Sequence, residues 1–437
     1  MNLLVRNGRV IDPANGLDGR ADVLVLDGVV SRVGPALEAP ARTPPVTVID
    51  AAGRVVAPGF LDIHVHLREP GQEHKETIAS GTRAAAAGGF TAVACMANTD
   101  PVNDTRAVTD YITARARAEG VVRVYPIGAV TRGLAGAELA DLGELAEAGC
   151  VAYSDDGRPL MNAALLRRAM EYAQAFGRPI VSHAEDAHLA AGAVMHEGAL
   201  STELGLRAVP AAAEEILVAR DIALAELTGQ RLHVAHVSTA AAVRLLRDAR
   251  ARSVPVTAEV TPHHLLLTDE SLRTYDQNAR MAPPLRSKRD VEACREGLAD
   301  GTLDAIATDH APHALVDKEV ELDLAASGIV GLETAVALCL THLVRTGVVA
   351  LPTLIARFTT GPARVLDLPG GSLSPGAPGD VTILDLETAH RIDPARFLSK
   401  GRNTPFGGWP CVGRPWMTIV GGRVVMAEGV ITAGAER

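Results

Sequence analysis

From residue 59 onward the chain alternates short apolar runs with longer stretches of helical composition, and the alternation repeats eight times. The runs cover 59–66, 90–97, 122–130, 150–156, 178–184, 231–237, 254–261 and 302–309. Helical stretches fill 76–87, 105–119, 137–148, 161–176, 211–228, 239–252, 289–299 and, after the last run, 332–346. A strand followed each time by a helix pairs in parallel with the next strand, and eight such units in series predict an α/β fold, a closed (β/α)8 barrel, rather than an open sheet. Gly88-Gly89, Gly149, Gly177 and Gly229 stand where helices should end, as C-terminal caps do.

The two ends of the chain read differently. Residues 1–57 hold Leu3-Leu4-Val5, Val10-Ile11, Ala21–Val25 and Val29–Val33, separated by Gly, Asn and Asp turns, and residues 369–437 repeat the style at 379–385, 416–420 and 423–426. These are short antiparallel strands by pattern. They are expected to pair into one small composite β domain from both termini, flanking a catalytic barrel over 58–368.

A composition of 47% hydrophobic and 22% charged residues in 437 is that of a chain with a sizeable core. The net charge of −10 argues against non-specific nucleic-acid binding, which needs a basic surface, so a small-molecule substrate is the expected partner. No stretch reaches the roughly 18 apolar residues of a membrane span. Residues 84–97 come nearest and are interrupted by a Gly pair. The five cysteines are scattered without C-x-x-C spacing, which gives neither a thiolate zinc site nor a disulfide framework and fits a reducing, cytoplasmic setting.

What the apolar runs end on carries the chemistry. The first ends in Asp62-Ile63-His64-Val65-His66, and side chains two apart on a strand share a face, so His64 and His66 form a pair of metal ligands. His183, His236 and Asp309 end the fifth, sixth and eighth runs, at the C-terminal strand ends where barrel active sites are built. Imidazole and carboxylate without thiolate suit zinc, with manganese or cobalt as substitutes. Asp155-Asp156-Gly157 follows the stretch 150–154 at the end of the fourth run and reads equally as an Asx turn; placed in the ring, one carboxylate could bridge two ions about 3.5–4 Å apart that share a hydroxide, which is hydrolytic chemistry. Asp309 suits both metal binding and proton transfer. Arg68, Asn98 and His313 lie just past strand ends, where they could hold a substrate carboxylate; elsewhere they would read as surface ion pairs or a turn residue. His263-His264, adjacent on an expected strand, would face opposite ways and read as structural.

These residues resemble the amidohydrolase superfamily, and within it dihydroorotases of the class I type. The resemblance covers nearly the whole chain. It is carried by Pro58-Gly59-Phe60-Leu61-Asp62-Ile63-His64-Val65-His66-Leu67-Arg68-Glu69-Pro70-Gly71, Met96-Ala97-Asn98-Thr99, Ser154-Asp155-Asp156-Gly157, His183-Ala184-Glu185, His236-Val237-Ser238 and Ala307-Thr308-Asp309-His310-Ala311-Pro312-His313. It implies zinc, as two ions per subunit, on His64, His66, Asp156, His183, His236 and Asp309, with Asp309 catalytic. It further implies that Arg68, Asn98 and His313 hold the substrate carboxylate, with His66 also at the substrate and backbone contacts near Ser327 and Gly328. Related hydantoinases and allantoinases bridge their metals with a carboxylated lysine from the fourth strand; no lysine lies between Gly149 and Pro159, and Asp156 takes the bridging position. The chain departs from the pattern at Ala282, where the family usually has an Asn that contacts substrate, and at Ser327, where Phe is more frequent. The implied activity is the reversible cyclisation of N-carbamoyl-L-aspartate to L-dihydroorotate. The rivals are another cyclic amidase and a weakly active scaffold for aspartate transcarbamoylase; a homodimer and an assembly with that transcarbamoylase are the partner expectations.

Overall fold

The computed structural model of the protein describes residues 1–432. Its centre is the expected barrel. Strands Phe60–Val65, Phe90–Cys95 and Arg123–Pro126 pair in parallel in that order, and Ile180–Ser182, Leu232–Val234, Val256–Val260 and Ala305–Ile306 form a second parallel set. Tyr153 joins the two sets by parallel bridges to Gly128 and Ile180, and a bridge from His310 to Val65 closes the ring.

The fourth position differs from expectation. In place of a strand over 150–156 there is one bridged residue, although its backbone still bonds both ways, Tyr153 N–H to Pro179 O and Ser154 N–H to Gly128 O. The ladder stops because the next side chain takes over as acceptor: Asp155 Oδ1 receives the N–H groups of Val130 and Thr131 at 2.8 and 3.0 Å. Shorter ladders than expected also appear at Arg123–Pro126 and Ala305–Ile306, where strand ends turn into cavity-lining loops. The helix expected over 332–346 runs as an α-turn over Ala335–Cys339 and then widens into a π-helical turn, Leu340–Val344.

Inside the ring the side chains are small, with Ala94, Ala152, Ala235, Ala305 and Ala307 packing against Ile63, Met96 and Ile127. Val365 and Leu366, from the helix Thr360–Leu366, belong to the same cluster. The outer helices bury their apolar faces on the strands, and Gly149 and Gly229 end theirs in the left-handed conformation, as the sequence suggested. Beside the barrel, a seven-stranded sheet takes Arg9–Asp12, Leu17–Arg20 and Val55–Pro58 from the start of the chain and Val381–Arg391, Pro410–Val420, Arg423–Ala427 and Val430–Ile431 from its end. Val55–Pro58 pairs antiparallel with Val381–Leu384, so strands from the two ends of the chain share one ladder. A four-stranded sheet of Leu3–Arg6, Asp22–Leu26, Val29–Gly34 and Thr47–Asp50 packs against it through Leu3, Val23, Val56, Ile383 and Ile419. Among the described residues no helix is long and apolar enough to cross a membrane.

Gly88, at the turn from the first barrel helix into the second strand, shows how closely the layers meet. Its backbone is ordinary, but a Cβ there would lie 1.9 Å from the carbonyl oxygen of Leu332, which is main chain and cannot swing aside. Gly88→Ala is therefore expected to destabilise the fold by about 3 kcal/mol, the upper part of the overpacking range, read as a lowered denaturation midpoint in urea.

Candidate metal centre and active site

The strand ends deliver their side chains to one cavity of about 410 Å³ at the C-terminal mouth of the barrel. Its wall includes His66, Asp156, His183, His236 and Asp309, with His64 fully buried beneath. Three of the residues that reach into it, Arg68, His236 and Asp309, have left-handed backbone, φ 59°, 34° and 48°. Such conformations cost non-glycine residues energy and gather where a side chain must be re-aimed at a site.

Asp156 sits at the centre. Its Oδ1 lies 3.4 Å from His64 Nε2, 3.4 Å from His183 Nδ1 and 3.5 Å from His236 Nε2, and its Oδ2 lies 3.5 Å from His66 Nε2. Asp309 Oδ1 is 3.1 Å from His66 Nε2 and 3.4 Å from His64 Nε2. The donors fall into two overlapping groups able to hold a cation, His64–His66–Asp156 and Asp156–His183–His236, with Asp156 common to both. Of the paired aspartates the structure thus separates the roles: Asp155 accepts the backbone N–H groups of Val130 and Thr131, and Asp156 faces the cavity.

Two observations show that this donor set fits metal. His64 Nε2 and Asp156 Oδ1 are buried polar atoms with no hydrogen-bond partner, a costly state unless something positive lies between them. The electrostatics point the same way. Burial disfavours charge on His64 and His183, yet Asp156, Asp309 and Glu259 hold His64 well above its ordinary value, and Asp156 and Glu185 raise His183 to about 10. Burial likewise opposes ionisation of Asp156 and Asp309, and both are nevertheless held well below the usual carboxylate range, by His64 first in each case. Burial lowers His66 instead, but a pocket that holds protons on buried His64 and His183 is one that draws positive charge.

The supporting residues were not legible as such. Glu259 Oε1 accepts from His64 Nδ1 at 2.6 Å, which turns the Nε2 lone pair toward the cavity, while Oε2 lies 3.1 Å from His233 Nε2. Burial would raise its carboxyl, but His64 and His233 bring it down to about 2. The signal available was a lone carboxylate inside the apolar strand Val256–Val260. Asp62, two residues before His64, accepts the N–H groups of His64 and Thr308, each at 3.2 Å, and so ties the first strand to the eighth. His263 and His264 lie not on a strand but in the short helix Pro262–Leu266, both buried, with His264 bonded to Thr261 and to the Pro283 carbonyl. The strand expectation fails because Thr261 caps a helix with Pro at its first turn.

Opposite the metal donors the cavity wall holds Arg68, Asn98, His313, Ser327 and Gly328. Burial lowers Arg68 to about 10, still cationic at neutral pH. Asn98 Oδ1 accepts from His66 Nδ1 at 2.8 Å, which leaves its NH2 group free of that contact. His313 Nε2 donates to the Ser327 carbonyl at 2.9 Å, so Nδ1 is a bare acceptor, buried and unpartnered. Burial, then Arg68 and Lys318, push this imidazole down to about 3, so it is neutral. The Gly328 N–H is engaged by the Arg280 carbonyl at 3.0 Å and is not presented to the cavity. Ala282 lines the wall with a methyl group only.

With this geometry the comparisons with known proteins agree. A model of the family described as dihydro-orotase-like matches residues 53–242. A protein named dihydroorotase from Anaeromyxobacter dehalogenans (strain 2CP-C) is 59% identical over 98% of this chain and 98% of its own length. Another from Pelotomaculum thermopropionicum is 57% identical over 99% of this chain and all of its own. The chain belongs to the dihydroorotase family. Among solved structures, the L-hydantoinase (dihydropyrimidinase) of Arthrobacter aurescens superposes with a TM-score of 0.88 at 27% identity, covering 98% of this chain and 97% of that one. A dihydropyrimidinase from Brevibacillus agri, at 23% identity and a TM-score of 0.86 over 99% and 96% of the two chains, shares the fold. The chain is thus an α/β barrel enzyme of the amidohydrolase type, and its family is one of cyclic amide hydrolases that depend on metal.

Glu259 gives the first test. If His64 ligates a metal, removing the charge in Glu259→Gln should weaken binding of added zinc by about 10–100-fold, the usual effect of losing the partner of a ligating histidine, read by competition with a chromophoric chelator.

Proposed function

We propose that the protein is a dihydroorotase, interconverting N-carbamoyl-L-aspartate and L-dihydroorotate plus water in pyrimidine synthesis. The observation that carries this reading is the pairing, across one cavity, of a metal-binding carboxylate–imidazole cluster with a wall that holds Arg68 and Asn98. A cyclic amide with a ring carboxylate needs both halves. The fourth barrel position offers Asp156 where a lysine would favour a hydantoinase or allantoinase.

We assign the metal as zinc, two ions held by His64, His66, Asp156, His183, His236 and Asp309, and bound there they supply Lewis acidity and a water acidic enough to react at neutral pH. The chain's own residues do the rest. Arg68 and the Asn98 amide donate to the substrate carboxylate and fix the ring over the cluster. His313, neutral in the free cavity, completes the clamp by taking up a proton as the anion enters. His66 stands at the junction of the two halves, bonded to Asn98 through Nδ1 and 3.1 Å from Asp309 through Nε2. In ring opening, Asp309 accepts the proton of the attacking water as its oxygen bonds to the amide carbon, and returns it to the ring nitrogen as the carbon–nitrogen bond breaks. Cyclisation runs the same transfers backwards.

The setting we infer is the cytoplasm, supported by five cysteines that are all free and buried. Homodimer formation and assembly with aspartate transcarbamoylase remain part of this proposal, to be read by light scattering of the protein alone and mixed with the transcarbamoylase.

Zinc-loaded protein should consume dihydroorotate, followed by its absorbance, with hydantoin and allantoin turned over poorly and a chelator abolishing activity. Silence on dihydroorotate with zinc bound would remove the assignment. Asp309→Ala should lower kcat by about 10³-fold or more, within the range for a lost general acid–base, while substrate binding by calorimetry persists. On this reading His313, held down to about 3 by burial and Arg68 before substrate enters, takes up a proton with the carboxylate, so KM should increase as pH is raised from about 6 to 8. A His313→Asn variant should lose that slope.

A further inference from the structure

Asn403 lies far from every motif that marks the site, in the segment between strands Val381–Arg391 and Pro410–Val420, and only 4% of it is exposed. All of its side-chain bonds go to the backbone of two cavity-lining loops. Nδ2 donates to the carbonyls of Ala311 and Gly328, each at 3.0 Å, and Oδ1 accepts the N–H of His313 at 3.0 Å. Its main-chain carbonyl accepts from Val330 N–H at 2.9 Å. One amide therefore satisfies three backbone groups that belong to the loop carrying His313 and the loop carrying Ser327 and Gly328.

The segment is built to reach this place. Ser399 Oγ and Lys400 N–H both bond Glu76, and Glu76 Oε2 lies 3.2 Å from His310 Nε2, next in sequence to Asp309. Gly401 allows the close approach: a Cβ there would lie 2.7 Å from Pro312 Cβ and 2.9 Å from Asn403 Oδ1. From the other side Lys318, itself buried, donates to the carbonyls of Ala326 and Gly328 at 2.7 and 3.1 Å. The Gly328 carbonyl is thus held by Asn403 and Lys318 together.

We propose that Asn403 is a positioning residue for substrate recognition, an amide from the C-terminal part of the chain that locks the His313 loop to the Ser327–Gly328 loop and so fixes the carboxylate-binding wall. The proposal rests on the dihydroorotase reading for its substrate, not for the contacts. Asn403 touches neither the metal donors nor Asp309, so it governs how well substrate is held rather than how fast the bound ring opens.

Asn403→Asp is the informative substitution. It keeps an acceptor for His313 N–H and sets a second carboxylate oxygen against the carbonyls of Ala311 and Gly328, two acceptors with no proton between them. The expected result is a KM for dihydroorotate raised about tenfold with kcat within about threefold of the parent, and zinc content unchanged. In hydrogen exchange, peptides covering 311–313 and 326–330 should exchange about tenfold faster while those covering 62–66 and 180–184 do not change. Lys318→Met should loosen 326–330 and leave 311–313 protected. An unchanged KM with a lowered melting temperature or kcat would make Asn403 merely structural and overturn the proposal, as would unchanged exchange at 311–313. Should the parent protein fail to turn over dihydroorotate, the functional reading falls, and the exchange comparison still decides whether Asn403 joins the loops. If Asn403→Asp does not fold, Asn403→Ala is read by the same criteria.

Discussion

The seam where the first barrel strand meets the eighth is the constraint on which the site depends. A barrel must close on itself, and here closure runs through Val65 paired with His310, His66 N–H bonded to the His310 carbonyl at 2.9 Å, and the Asp62 carboxylate receiving the N–H of Thr308. The same few residues carry His64, His66 and Asp309. Closing the ring therefore brings the histidine pair to 3.1–3.4 Å from the aspartate, although 243 residues separate His66 from Asp309. Asp62 is buried enough that its carboxyl is pushed up to about 7 despite the hydrogen bonds from Thr308 and His64. The fold places an acid at its seam to satisfy backbone groups, and the ligand geometry follows from that placement.

Much of this was legible because period and position carry physical information. Eight apolar runs separated by helical stretches leave few topologies open, and residues at the C-terminal ends of such runs converge whatever their distance along the chain. His64, His66, His183, His236 and Asp309 were read as candidates that way, and the structure brings all five to one cavity. The fourth position was harder. Its ladder reduces to Tyr153 because Asp155 supplies acceptors that a neighbouring strand would otherwise provide, and competition between side chain and backbone leaves little trace in apolar periodicity. Glu259 was missed for a related reason: its role is to orient His64, which depends on a register between strands that a single run does not reveal. Asn403 was illegible, since three backbone contacts made by one amide have no pattern in sequence.

The charge distribution of the cavity follows from its two tasks. On the donor side, two carboxylates and four imidazoles are buried together, an arrangement that is unfavourable alone and becomes favourable around cations. On the recognition side, Arg68 keeps its charge under burial, and its Nε bonds the Pro312 carbonyl at 3.3 Å, which restrains the guanidinium against the cavity wall. Arg68 in turn helps keep His313 neutral. An anion entering the cavity would relieve that repulsion, and under the proposed function recognition of a carboxylate and protonation of His313 are a single linked event.

Ala282 shows what the recognition wall can and cannot lose. Where relatives of this type usually carry an Asn, this chain offers a methyl group to the cavity, yet the segment around it stays fastened: the Arg280 carbonyl accepts the Gly328 N–H, and Arg280 Nη1 donates to the Leu322 carbonyl at 2.6 Å. Losing one side-chain donor there would therefore cost the proposed substrate a contact without releasing the loop that bears it. On the proposed reading recognition then falls on Arg68, Asn98 and His313, and the worth of those three depends on the wall behind them holding still. A clamp of few contacts gains more from rigidity than one of many, because each donor that wanders costs a larger share of the binding.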